Sequence, residues 1–199
     1  MKTFKRITER LIIRPMQAKD FEQFKIANLN ATKKKNKWDL PPKSPKELNV
    51  QKFEKLIQWK KDMRKQDRRQ DFAVFLKSGE LVGEFSIMEI IRGLGQSAFI
   101  GYHIYNNYWG QGFAKEALKA TLDIAFKDLK LHRIEAGIEP KNLRSIRLAK
   151  SFGMKKEGLK RKALYLRKNW VDLAIYSLTT EDLGLTYDLK KIEPKYRNF

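Results

Sequence analysis

The chain has 199 residues, an apolar content of 42% and a formal net charge of +20. That length and composition allow one domain with a real core; they exclude wholesale disorder, and no apolar run approaches the roughly 18 residues of a membrane span. Cysteine is absent, which excludes disulfides, thiolate metal sites and a Cys nucleophile, and fits a reducing cytoplasm as the expected location. The basic opening Met1-Lys2-Thr3-Phe4-Lys5-Arg6 is not followed by a hydrophobic signal region. The positive charge suits polyanions such as a phosphorylated cofactor, ribosomal RNA or acidic proteins. It is scattered along the whole chain, however, as a lysine-rich surface with no such partner would have it.

In chain order, Leu11-Ile12-Ile13-Arg14 reads as a short strand stopped by Pro15. Asp20 reads as the N-cap of a helix from about Phe21, its carboxylate accepting from free amides. Residues 33–45 carry the charge and prolines of a loop. A helix is predicted from Pro45 to Arg68, with Phe53, Leu56, Ile57 and Met63 as its apolar stripe. Strands at 72–76 and 81–90 follow, joined by the tight turn Lys77-Ser78-Gly79-Glu80. Gly93 and Gly95 mark a further turn before a strand at 98–104.

That strand leads into Tyr108-Trp109-Gly110-Gln111-Gly112-Phe113-Ala114-Lys115-Glu116, and then into a helix. Ala114, Ala117, Leu118, Thr121, Leu122, Ala125 and Phe126 recur at helical spacing, so one face is buried. A strand, a glycine loop and a helix start hold anions well, because the first helical amides are unpaired and the peptide dipoles favour negative charge there. A strand at 132–138 comes next. Asn142 is the predicted N-cap of a helix to about Phe152, with Gly153 as its left-handed stop. Segments 159–166 and 171–178 form a closing hairpin. The reading is a single domain over 1–180 and a basic tail over 181–199. Its class is α+β, with a mixed, mostly antiparallel central sheet flanked by helices and a right-handed parallel crossover within 98–138.

Four segments in this order resemble the GNAT superfamily of acetyl-CoA-dependent N-acetyltransferases and, more narrowly, the ribosomal-protein N-terminal acetyltransferases of the RimJ/RimL type. They are Thr8-Glu9-Arg10-Leu11-Ile12-Ile13-Arg14-Pro15; Gly101-Tyr102-His103-Ile104 through Glu116-Ala117; His132-Arg133-Ile134-Glu135-Ala136 through Asn142-Leu143-Arg144-Ser145 and on to Gly158; and Asn169-Trp170-Val171-Asp172. The likeness covers about residues 8–180. Trp109 stands where the superfamily loop commonly begins with Gln or Arg, and an aromatic there is common in the Rim-like branch.

The resemblance implies the GNAT (acyl-CoA N-acyltransferase) fold, acetyl-CoA as acetyl donor, no metal, and direct transfer to an amine in a ternary complex. It implies that the coenzyme A pyrophosphate sits on the loop Trp109, Gly110, Gln111, Gly112, Phe113, Ala114 and Lys115. Tyr102, His103 and Ile104 would meet the pantetheine arm, and the Ile104 amide would polarise the thioester carbonyl. Asn142 would also hydrogen-bond the arm, as well as capping its helix. Ser145 is the candidate proton donor to the leaving sulfur, with Tyr165 as an alternative. Glu135 is the first candidate for a general base and Glu84 the runner-up. Each also reads as an ion-paired strand glutamate, and water alone is a third option. Trp38 is the candidate wall of the acceptor site. Two histidines, His103 and His132, with no Cys make a transition-metal site improbable.

The implied acceptor is a protein N-terminus, in particular that of a ribosomal protein. A small amine (amino sugar, aminoglycoside or polyamine) is the alternative, and a non-catalytic ribosome- or RNA-binding module is another. The intact glycine loop with Asn142 and Ser145 favours an enzyme. The basic chain favours a peptide over a strongly cationic acceptor. Ribosome association and a homodimer are both compatible with the resemblance.

Overall fold

The computed structural model describes residues 4–31, 33–39 and 43–187. The chain divides into two interleaved units: Met1–Ile87 with Gly101–Thr121, and Met88–Ile100 with Leu122–Phe199. Among the described residues, eight strands form one mixed sheet in the order β1-β2-β3-β4-β5-β6-β8-β7, and four segments are α-helical.

In the first unit, β1 (Arg6–Ile7) pairs antiparallel with β2 (Leu11–Arg14). Pro15 ends β2 as expected, since it brings no N–H to a ladder. A turn of 3-10 helix (Ala18–Asp20) leads into α1 (Phe21–Leu29). Asp20 does not cap α1 with its side chain. Its carboxylate instead takes two bonds from the Arg14 guanidinium, at 2.6 and 2.8 Å, and one from the Gln17 amide at 2.8 Å. A charged fork six residues upstream outcompetes the neutral amides of the following turn.

The predicted helix from Pro45 also needs correction. Pro45–Glu47 is a separate 3-10 turn closed by Ser44 and Glu47. Asn49 then adopts extended backbone and caps α2 (Val50–Lys65), its side chain accepting from the Lys52 amide at 2.9 Å. β3 (Arg69–Leu76) pairs with β2 in the register Leu11 to Leu76 through Arg14 to Ala73. The tight turn before β4 (Leu81–Ile91) is closed by the Leu76 amide on the Glu80 carbonyl, with Gly79 in left-handed backbone. Met16, Phe24, Phe53, Phe75, Leu81 and Tyr105 make the buried cluster under α1 and α2, where the Phe24 and Phe53 rings lie 4.9 Å apart.

β5 (Ser97–Ile104) and α3 (Phe113–Asp123) each pass from one unit to the other. α3 loosens into a π-helical segment, Ile124–Asp128, whose first three residues are buried. In the second unit, β6 (Arg133–Ile138) runs parallel to β5, with the register confined to Ser97–Phe99 against Arg133–Glu135. α4 (Leu143–Lys150) is followed by Gly153 at φ 80°, the left-handed stop expected. β7 (Lys155–Leu166) and β8 (Asn169–Thr179) form the hairpin, with β8 next to β6 and β7 at the sheet edge. Ile124, Leu131, Ile134 and Leu178 are the fully buried side chains around which this unit packs. Within the tail expected over 181–199, Glu181–Leu183 form a turn of 3-10 helix joined to His132, and the Tyr187 hydroxyl donates to the Lys130 carbonyl. Residues 188–199 of that predicted tail lie outside the described residues.

Candidate active site

The first unit carries the glycine loop. Gly110 and Gly112 both lie in left-handed backbone, at φ 83° and 81°, a conformation that costs any residue with a Cβ. A Cβ at Gly110 would meet nothing within 4 Å, so its space is open. The Gly112 carbonyl receives the Lys115 and Glu116 amides and so starts α3. The amides of Gly110, Gln111, Gly112, Phe113 and Ala114 have no hydrogen-bond acceptor among the described residues. Five successive unpaired donors at the positive end of a helix are a seat for an anion with several oxygens.

Arg10 stands beside this loop, and sequence reasoning gave it no role. Its guanidinium donates to the Gln111 carbonyl at 2.9 Å and to Glu116 at 2.7 Å, and covers the Phe113 ring at 4.7 Å. Glu116 also accepts from the Thr8 hydroxyl at 2.6 Å and the Arg10 amide at 2.9 Å. Burial works to raise the Glu116 pKa, but these hydrogen bonds and the Arg10 charge outweigh it and hold the carboxyl below its ordinary range. Glu116 therefore anchors a cation at the loop as well as complementing the helix dipole. No local signal reports this, because the partners are more than 100 positions apart in sequence.

Trp109 works as a strap: its indole N–H donates to the Ile104 carbonyl at 2.7 Å, which ties the loop to the end of β5. The Lys35 ammonium lies 5.6 Å from the Trp109 ring and donates to the Asn106 carbonyl at 3.1 Å. The Asn106 amide donates to Asp39 at 2.6 Å. The 33–39 loop is thereby docked on the segment that carries the glycines. Trp38, in that loop, is half-buried beneath the Lys37 ammonium, and its indole N–H has no acceptor among the described residues.

A polar cluster lies on the same unit. The Tyr105 amide donates to the Val82 carbonyl, which sets His103 of β5 beside Glu84 of β4. Lys60 of α2 reaches Glu84 at 2.5 Å, with only 11% and 18% of the two side chains exposed. Burial works to raise the Glu84 pKa, yet the Lys60 ammonium and the other neighbouring positive charge hold it below the ordinary carboxylate range. Burial pushes the His103 imidazole down against the pull of Glu84, with Lys60 and Lys43 adding to the fall and Asp39 opposing it. Burial thus favours the neutral imidazole at His103, while Lys60 favours the ionised carboxylate at Glu84. Their pairing was missed in sequence because cross-strand register brings positions 84 and 103 together. Tyr102, the preceding residue, stacks on Phe85 with ring centroids 5.4 Å apart.

In the second unit, Glu135 accepts from Arg133 at 2.9 Å, and Arg133 also grips Glu157. Asn142 caps α4, its side chain accepting from the Ser145 amide at 3.3 Å. Ser145 is half-buried in the first turn of α4. Tyr165 lies in the exposed hairpin, edge-on to Trp170. Gly101–Ile104 lie beyond the parallel register of β5, which stops at Phe99. Among the described residues no three His, Asp or Glu side chains gather where they would hold a metal ion.

Such an arrangement can seat a polyphosphate, present strand amides to an extended amide-bearing chain, and offer a neutral imidazole to an ammonium. Comparison with known proteins bears on that list. A family model described as acetyltransferase (GNAT) domain matches residues 10–155. Bacillus subtilis YjcK is 40% identical over 117 residues, which are 58% of this chain and 65% of that protein. The [ribosomal protein uS5]-alanine N-acetyltransferase of Escherichia coli is 32% identical over 103 residues, 52% of this chain and 53% of that enzyme. The chain thus matches between half and two-thirds of the length of these relatives. The structure of Mycobacterium smegmatis RimJ in complex with CoA-disulfide superposes with a TM-score of 0.77 at 26% identity, over 89% of this chain and 85% of that one.

Proposed function

The chain belongs to the GNAT family of N-acetyltransferases, and from that premise we propose that it transfers the acetyl group of acetyl-CoA to the N-terminal α-amine of a protein, with ribosomal proteins as the favoured acceptor class. The observation that carries the donor half is the run of five unpaired amides from Gly110 to Ala114 at the start of α3. Arg10 adds a guanidinium beside them, so the loop suits the pyrophosphate of coenzyme A in both charge and donor count. Tyr102, His103 and Ile104 would offer backbone to the pantetheine arm, with the Ile104 amide on the thioester carbonyl. Asn142 would add a side-chain bond and Ser145 a proton for the departing sulfur.

In the reaction, the acceptor nitrogen bonds to the thioester carbonyl carbon, the carbon–sulfur bond breaks, and the sulfur leaves as the thiol after taking a proton. The proton of the attacking ammonium must go elsewhere. His103 is our preferred first acceptor, because burial keeps it neutral and Glu84 stabilises the imidazolium that forms. Glu135 remains a candidate, but its carboxylate is already engaged by Arg133. Support for a protein acceptor comes from the activity named for the Escherichia coli relative and from the likeness to RimJ. The chain's charge of +20 also disfavours a polycationic acceptor.

The test is an acetyl-CoA thiol-release assay on a panel of N-terminal peptides, amino sugars, aminoglycosides and polyamines, with mass spectrometry of the products. Mass gain of one acetyl group on a peptide α-amine is the expected result. Turnover confined to a small amine would replace the acceptor reading, and no thiol release with any amine would remove the whole proposal.

A further inference from the structure

The outer part of the β7–β8 hairpin stands in solvent: from 159 to 170 every residue except Leu166 is exposed. Among them are Leu159, Leu164, Tyr165 and Trp170, the two aromatic side chains being 58% and 57% exposed. Tyr165 and Trp170 are cross-strand partners with ring centroids 5.5 Å apart. A two-stranded ribbon is marginal by itself, and large apolar groups held out in water mark an interaction surface.

The charge around these rings is mainly positive. Arg167 is tied to Glu139 and Lys155 to Asp182, but the charged groups of Lys156, Arg161, Lys162 and Lys168 have no acidic partner among the described residues. The backbone adds a second signal. Lys162, Arg167 and Lys168 all lie in left-handed conformation, at φ 46°, 50° and 63°. A two-residue hairpin turn of this kind ordinarily uses Asn-Gly, and here it uses Arg-Lys. The Arg167 strain is offset by its ion pair and that of Lys162 by its amide bond to Asp172 at 2.8 Å, whereas Lys168 has no such compensation. Strained cations held in water beside exposed rings are arranged for a partner.

We infer that this ribbon is a docking surface for single-stranded RNA, with a base stacked on Trp170 and phosphates met by Arg161, Lys162 and Lys168. A second copy of the chain would bring like charges face to face. An acidic protein would satisfy the cations but leave the ring faces without flat partners. Duplex nucleic acid keeps its bases stacked on one another, whereas an unpaired strand offers both free base faces and phosphates. Lys162, Asn169 and Trp170 line an open hollow of about 480 Å³. The Asn169 side-chain Oδ1 has no donor among the described residues, and a ribose 2′-hydroxyl beside the stacked base would supply one.

The experiment is fluorescence anisotropy of labelled oligouridine titrated with the full chain across a salt series. Trp170→Ala is expected to weaken binding about tenfold or more, and Trp170→Phe to keep most of it. Lys162→Glu is expected to weaken binding and flatten the salt dependence by about one unit in log–log slope. Lys61→Glu on α2 makes the same charge change on a different element and is expected to have little effect. Circular dichroism melts establish that each variant is folded. Equal losses from Lys61→Glu and Lys162→Glu with no effect of Trp170→Ala would reduce the binding to net charge and overturn the proposal. It is equally overturned by oligodeoxythymidine binding as tightly as oligouridine, by competition from polyglutamate that Trp170→Ala does not alter, or by a halved sedimentation mass in Trp170→Ala.

Discussion

Glu84 and Lys60 are two charges largely removed from water, so neither is indifferent to losing the other. Removing one member of such a pair leaves a buried charge uncompensated, which costs about 3–5 kcal/mol, well above the loss for a surface pair. Lys60→Met is expected to lower stability by an amount of that order in urea unfolding, and Lys60→Met with Glu84→Gln to recover part of it. For catalysis, His103→Asn is expected to reduce kcat/KM by about 10² or more with KM for acetyl-CoA little changed, while Glu135→Gln costs less than about tenfold. A larger loss at Glu135 would return the base assignment to β6. The pH dependence has a definite sign. Burial first, then Lys60 and Lys43, lower the His103 pKa from 6.5, while Glu84 and Asp39 raise it. Glu84→Gln removes a raising charge, so the acid limb of kcat/KM should move to lower pH. Between the lowered folded value and 6.5 the unfolded chain binds more protons than the folded one. His103 therefore makes stability fall as pH falls through that window, which acid titration of the melting temperature would show.

At the scale of elements, the starts of α3 and α4 each have a structural role that can be separated from the one proposed for them. Gly112 needs left-handed backbone, and a Cβ there would lie 3.3 Å from an Arg10 nitrogen. Gly112→Ala should cost about 1–2 kcal/mol of conformational strain and raise KM for acetyl-CoA at least several-fold, because it disturbs both the amide row and the guanidinium. Asn142→Ala should cost about 1 kcal/mol as a lost cap. A rise in KM for acetyl-CoA beyond what Asn142→Asp shows would mark the additional pantetheine role, since Asp also caps. Much at this scale was legible in sequence. The period of Ala117, Leu118, Thr121 and Leu122, the stop at Pro15, the tight turn at Gly79 and the cap at Asn142 are local features and appear as read. Asp20 and the start of α2 were not. At Asp20 a charged partner on a neighbouring strand displaced the local cap, and at Asn49 extended backbone split one periodic segment into a 3-10 turn and a helix.

For the molecule as a whole, ligand binding and folding are linked. Coenzyme A at one hundred times its Kd should raise unfolding free energy by about 2.7 kcal/mol, readable as a concentration-dependent rise in melting temperature. Gly112→Ala should blunt that rise even where its own fold is intact. The sequence by itself determined the class of the fold and the place of the glycine loop, because alternation, helical period, glycine and caps are written in neighbouring residues, while the family came from the likeness of four whole motifs to known enzymes. Only the tertiary structure decided which charges meet: Arg10 with Glu116 at the loop, Lys60 with Glu84 beside His103, and Arg133 with Glu135. The physical reason is that register and packing set those distances. A carboxylate's chemistry depends on the dielectric and the cation it faces, and neither is encoded within its own strand.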